Sequence, residues 1–115
     1  MVKKENRLRR RNDFTRVYKK GKSYANKYLV VYVLPNGRAV DRFGFSVGKR
    51  VGKAVTRNRM RRRLREICRL HVGLLTPGYD IVVIPRNPAL EVDYDTIKRA
   101  LRHLFHKAGI FRNNQ

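Results

Sequence analysis

The segment "VGKAVTRNRMRRRLREICRL", Val51 to Leu70, holds seven arginines and one lysine against a single acid, Glu66. That density of like charge allows two outcomes: an unfolded basic tail, or a folded element whose charge faces something negative. The apolar residues decide between them. Val55, Leu64, Ile67, Cys68 and His71 fall near the three-and-four spacing of one helical face, with Met60 beside them, and a solvated tail has no use for such a stripe. On a helix, Arg57, Asn58, Arg61, Arg62 and Arg65 project from the opposite side. Like charges at i,i+4 cost roughly 0.2–0.5 kcal/mol per pair, a cost that a bound polyanion relieves. The segment reads as an amphipathic helix with one face in a core and the other turned to a partner.

Charge across the whole chain points to the class of that partner. Its 115 residues carry 29 Lys and Arg against 8 Asp and Glu, a formal net charge of +21, and the sequence pI is near 11.4. That lies well above the value of about 9 that marks a basic nucleic-acid-binding domain. Such a field speeds association with polyphosphates and makes affinity depend on salt. A membrane is not expected as partner, because no segment approaches the roughly 18 apolar residues needed to span one. The start "MVKKENRLRRRNDF" has no apolar stretch after its basic residues and does not read as a secretory signal. One cysteine, Cys68, allows no internal disulfide or cysteine-based zinc site; on the apolar stripe it reads as a small core residue. The expected compartment is the reducing cytoplasm.

The length corresponds to one domain over residues 1–115, with 1–8 and 111–115 expected to be loosely ordered. Periodicity orders the elements. "NDFTRVYKKG" spaces Phe14, Val17 and Tyr18 as a helix, with Asn12 or Asp13 as cap and Gly21 as stop. "KSYAN" predicts a short edge piece. "NKYLVVYVL" predicts a strand, and "DRFGFSVGK" a second one, joined to the first as a hairpin through the turn "PNG". The arginine helix follows. "YDIVVIPR" is a continuous apolar run, the pattern of a strand buried on both faces. "DTIKRALRHLFHKAG" places Ile97, Leu101, Leu104, Phe105 and Ala108 on one stripe, capped by Asp95 and ended by Gly109. The fold class is α+β: about four strands in a mixed sheet covered by helices, in the order α-β-β-β-α-β-α.

Residues for side-chain catalysis do not assemble in the sequence. "GKRVGKAV" has Val47 and Ala54 where a phosphate-cradling loop needs Gly and Ser or Thr. His103 and His106 sit three apart on the last helix without an evident third metal ligand. Glu91, Asp93 and Asp95 precede that helix, where its dipole accounts for them. No catalytic residue and no metal site is assigned.

The aromatics carry more. Phe14 and Tyr18 are i,i+4 on the first helix; Tyr28, Val30 and Tyr32 share one face of the first long strand. Leu29, Val31 and Val33 take the other face and suffice for a core there. Aromatics on a free sheet face beside a basic helix suit stacking on unpaired nucleotides.

The run "RFGFSVGKRVGKAVTRNRMRRRLRE", with Arg57-Asn58-Arg59 at its centre, resembles the signature of the bacterial ribonuclease P protein component. "DFTRVYKKGKSYANKYLVVYVL" resembles that family's first helix and strand, and "YDIVVIPRNPA" its last strand; the likeness runs from about Arg7 to Phe105. It implies a small basic subunit that binds a catalytic RNA and promotes removal of the 5′ leader from precursor tRNA, the RNA supplying the active site and its Mg²⁺. It also implies two surfaces. Lys49, Arg50, Lys53, Arg57, Asn58, Arg59, Arg61, Arg62 and Arg65 would meet the RNA subunit and adjacent substrate. A cleft of Phe14, Tyr18, Val30 and Tyr32 would take the single-stranded leader. Gly48 and Lys53 stand where some relatives have Ser and Asn. The family further implies a left-handed crossover through the arginine helix, against the usual right-handed one. A structural rRNA-binding protein is the alternative reading. A helix-turn-helix DNA binder is not, because "DRFGFSVGKRVG" reads as strand and loop where such a protein needs a helix.

Overall fold

The computed structural model describes residues 4–112. Its elements follow the expected order: α1 (Arg11–Lys20), β1 (Lys22–Ala25), β2 (Leu29–Pro35), β3 (Arg42–Phe45), α2 (Ala54–His71), β4 (Tyr79–Pro85) and α3 (Tyr94–Lys107). The four strands form one mixed sheet in the order β1-β2-β4-β3. β2 pairs antiparallel with both β1 and β4, and β3 runs parallel to β4.

That order corrects the expected hairpin. β3 follows β2 in sequence, yet β4 lies between them. The reason is β4 itself, in which Asp80, Ile81, Val82 and Val83 are all buried; a strand apolar on both faces is most stable with a neighbour on each side. The turn therefore spans two strand spacings, about 10 Å. Asn36 holds it, donating from Nδ2 to the Val40 carbonyl and to Asp80 Oδ1 and accepting from the Arg38 N–H.

The sheet's two faces are covered unequally. Leu29, Val31 and Val33 of β2, Phe43 of β3, and Ile81 and Val83 of β4 meet α2 and α3 in the main core. There α2 buries Met60, Leu64, Ile67, Cys68 and His71, and α3 buries Ile97, Ala100, Leu101, Leu104 and Phe105. The stripe read from sequence is thus correct except at Val55, which is 70% exposed: nine residues before Leu64 at about 100° per residue, it lies on the opposite side of α2, on the face of Asn58, Arg59 and Arg62. Burial pushes the Cys68 thiol well above its usual range, so the residue is inert packing. The opposite face carries a small second cluster, Leu8, Val17 and Val82, with Phe14, Tyr32, Leu34 and Ile84 half-buried around it. Among the described residues, α1 and the N-terminal segment cover it.

The ends of the helices differ from expectation. Arg10, not Asn12 or Asp13, is the N-cap of α1, and its side chain makes no capping bond. Asp13 instead lies near Arg16 and Arg42, 3.7 Å from each. Asp93, not Asp95, caps α3, accepting from the Thr96 N–H at 2.9 Å and its hydroxyl at 2.6 Å. Gly109, with φ +72°, ends that helix as expected. The terminal segments need correction as well. Leu8 is buried and donates its N–H to the Phe43 carbonyl at 2.8 Å, while Phe111 bridges to Leu75. Residues 1–3 and 113–115, also expected to be loose, lie outside the described residues.

Beside the turn, Asp41 is buried and accepts the Tyr79 N–H at 2.7 Å. Burial, only partly offset by the backbone N–H groups of Tyr79 and Gly78, pushes its carboxyl up from 3.8 to about 6. An acid with a raised folded pKa favours folding when protonated, so its contribution is complete below the unfolded value and is lost as pH rises through the folded one. Asp41→Asn keeps the acceptor and removes the titration. Chemical melts of both proteins should diverge in the variant's favour between about pH 4 and 7, by at most about 3 kcal/mol; parallel curves would contradict the burial argument.

Candidate nucleic-acid interface

The less covered sheet face and the arginine side of α2 meet at one hollow. Alternation along β2 places Val30, Tyr32 and Leu34 on this face, and their β4 partners are Ile84, Val82 and Asp80. α1 crosses above them. Its i,i+4 pair Phe14 and Tyr18 has ring centroids 6.5 Å apart, and Tyr18 meets Tyr32 edge to face at 5.1 Å. Phe14, Val30 and Tyr32 are half-buried, and Tyr18 is 38% exposed. The structure therefore brings together the aromatic residues singled out from sequence and leaves them accessible. Tyr28 is the exception. It precedes β2 and packs against the main core, with the Lys27 ammonium 5.7 Å from its ring.

Gly44 makes this arrangement possible. A Cβ there would lie 2.5 Å from the end of the Phe14 ring and 3.1 Å from Leu8 Cβ, so the ring rests directly on strand backbone. An isolated glycine inside "RFGF" signals this kind of close approach, but the sequence alone does not say which ring arrives.

On the other side of the hollow stands α2. Arg61 and Arg65 line a cavity of about 260 Å³ together with Phe14, Phe43, Phe45 and Leu8. Arg7 and Arg9 complete its wall. The same two residues border a larger basic hollow of about 500 Å³ beside Arg10 and Arg38. Leu8, Arg7 and Arg9 were missed in the sequence because a lone leucine within "RLRRR" has no periodicity to place it.

The nine basic-surface residues divide by position. Lys49, Arg50 and Lys53 are exposed on the β3–α2 connection, which buried Val51 anchors and Gly52, at φ +148°, redirects. Arg57, Arg61 and Arg65 succeed one another along one side of α2 at i,i+4 spacing. Arg59 and Arg62 are exposed outside the cavity wall. Asn58 has a positioning contact, since its Oδ1 accepts from Arg61 Nη1 at 3.1 Å, while Arg61 Nη2 donates to the Val47 carbonyl at 3.2 Å. Among the described residues, the shielded Nε atoms of Arg7 and Arg57 have no acceptor.

One buried network fixes α1 to the sheet. Asp80, fully buried on β4, accepts from Arg42 Nε at 2.8 Å and Nη2 at 2.7 Å, from Arg16 Nη2 at 2.8 Å, and from Asn36 Nδ2 at 2.9 Å. Burial alone would raise the Asp80 carboxyl; the bonds from Arg42, Asn36 and Arg16 outweigh it and hold the group below its usual range. Arg16 lies between Phe14 and Tyr18 on α1, so this ion pair sets the height of the aromatics over the sheet.

The histidines do not converge. His103 Nδ1 lies 3.3 Å from Asn26 Nδ2, and His106 stacks on Phe111 at 4.0 Å. Among the described residues no three His, Cys, Asp or Glu side chains gather as a metal site.

A family profile described as Ribonuclease P matches residues 2–109. The chain belongs to the ribonuclease P protein family. It is 46% identical to the ribonuclease P protein component of Clostridium botulinum strain Loch Maree over 109 residues, covering 94% of this chain and 98% of that one. The component from Caldanaerobacter subterraneus is 39% identical over 100% of this chain and 99% of its own. Among solved structures, the RNase P protein of Staphylococcus aureus matches with TM-score 0.86 and 38% identity, over 93% of this chain and 98% of that one. That of Thermotoga maritima matches with TM-score 0.82 and 42% identity, over 88% and 96%. The parallel β3–α2–β4 unit and the four-stranded mixed sheet are therefore shared architecture.

Proposed function

We propose that this chain is the protein subunit of ribonuclease P, acting with a catalytic RNA to remove the 5′ leader of precursor tRNA in the cytoplasm. The observation that carries the reading is the accessible aromatic row of Phe14, Tyr18 and Tyr32 between α1 and the sheet, whose Phe14 end lines a cavity with Arg61 and Arg65. Stacking on accessible rings, with guanidiniums for the phosphates, suits an unpaired RNA strand of any sequence. Lys49, Arg50, Lys53, Arg57, Asn58, Arg59, Arg62 and the outer edges of Arg61 and Arg65 form the surface for the RNA subunit and the adjoining substrate. The names of the relatives, ribonuclease P protein component, support this assignment.

The protein's work is positioning. Among the described residues the two buried acids are engaged, Asp80 by Arg42 and Arg16 and Asp41 by the Tyr79 N–H, and phosphodiester hydrolysis and its Mg²⁺ ions are assigned to the RNA. A structural rRNA-binding protein would need the basic helix but no accessible aromatic cleft.

Reconstitution with a bacterial ribonuclease P RNA tests the reading. At low Mg²⁺ the protein should restore cleavage of precursor tRNA. Tyr18→Ala should lose about 1–3 kcal/mol of affinity for substrate with a leader, with binding to mature tRNA and the thermal melt unchanged. Cleavage by the protein without RNA, or an equal loss for mature tRNA, would overturn it.

A further inference from the structure

The cleft does not end at Tyr32. β1 is the edge strand beyond β2, and its register sets Ser23 opposite Tyr32 and Ala25 opposite Val30. Paired residues share a face, so between Tyr32 and the sheet edge this face carries two small, exposed side chains, Ser23 and Ala25. Lys22 and Tyr24, the alternate residues of β1, point to the other face. There, around the edge, lies a separate hollow of about 280 Å³ between β1, the end of β2, the start of β4 and the end of α3. Lys20, Lys22, Tyr24, Pro35, Tyr79 and Ala108 are among its lining residues, and no acid is.

Lys20 ends the same helix that carries Phe14 and Tyr18. The bend after it is tightly clamped: a Cβ at Gly21 would stand 2.6 Å from the Val17 carbonyl oxygen and 2.9 Å from that of Val33. Lys20 and Lys22 therefore flank a fixed corner, on the path from the cleft to the hollow.

We propose that this hollow is a second nucleotide subsite for the same RNA strand, reached when a long leader turns around the β1 edge. The inference rests on the leader-binding reading of the cleft. Lys20 and Lys22 contact phosphates at the corner. Tyr24 and Tyr79, half-buried against the main core, offer ring surface to one base. The class of ligand is single-stranded RNA upstream of the nucleotides in the cleft, matched by an acid-free, lysine-bearing lining one strand away around the β1 edge.

The test uses the holoenzyme, precursor tRNAs with leaders extended one nucleotide at a time, and the double variant Lys20→Ala/Lys22→Ala, whose side chains are both exposed. With wild type, affinity should rise as the leader fills the cleft, then rise again by roughly fivefold as it reaches the hollow. The double variant should keep the first rise and lose most of the second. Tyr24→Leu, which preserves apolar packing, should likewise lose the second rise alone. An unchanged second rise in both variants overturns the subsite, as does wild-type affinity that stops rising once the cleft is filled. So does an equal weakening at every leader length, the result expected of a general field effect. Failure of the underlying cleft reading looks different: wild-type affinity would then not depend on leader length at all.

Discussion

Asp80→Ala should destabilise the protein by about 3–5 kcal/mol, because it leaves Arg42 enclosed without its counter-charge. Arg42 is only 9% exposed and donates two hydrogen bonds to this carboxylate. Arg16, whose side chain is 43% exposed, has water as an alternative, so Arg16→Ala should cost no more than about 1 kcal/mol. Titration gives an independent check. Asp80 has a lowered folded pKa, so its contribution is present above the ordinary carboxylate range and is lost as pH falls through the folded value. This sign is opposite to that of Asp41. Urea melts of wild type and Asp80→Ala should therefore converge toward low pH, and a gap that stays constant down to about pH 2 would show that the pair is not what holds the network. Because Arg16 belongs to α1, Asp80→Ala should also weaken leader binding in material that remains folded.

Leu64→Ala should cost about 2–5 kcal/mol, since the side chain is fully buried between α2 and the sheet. Arg61→Ala, about one turn earlier on the flank of the buried stripe, should cost about 1 kcal/mol for its bonds to Asn58 and the Val47 carbonyl. Its main effect should be on RNA: weaker binding to the RNA subunit and a shallower salt dependence, by roughly one counterion-release increment. Equal unfolding by the two substitutions would mean that the core and partner faces of α2 are reversed.

The sequence by itself determined the elements and their faces. The 3.6-residue stripe of α2 from Met60 to His71, the two-residue alternation of β2 and the unbroken apolar run of β4 are local patterns, and local patterns report which side of an element avoids water. The charge of +21 likewise belongs to the chain before it folds. What only the tertiary structure decided is adjacency. No local signal separates β2 from β3 by β4, because strand order is a competition among partners distant in the chain. Caps moved by a few residues, from Asp13 to Arg10 and from Asp95 to Asp93, because packing sets where a helix begins. Val55 stays exposed because the helical period places it about 180° around α2 from Leu64, on the partner side. Residues Asp80, Arg42 and Arg16 lie up to 64 positions apart. In the sequence they are unrelated charges, and only the crossing of α1 over β3 and β4 makes them one ion network. The same crossing lays Phe14 on Gly44, which turns three scattered aromatic residues into the wall of a cleft.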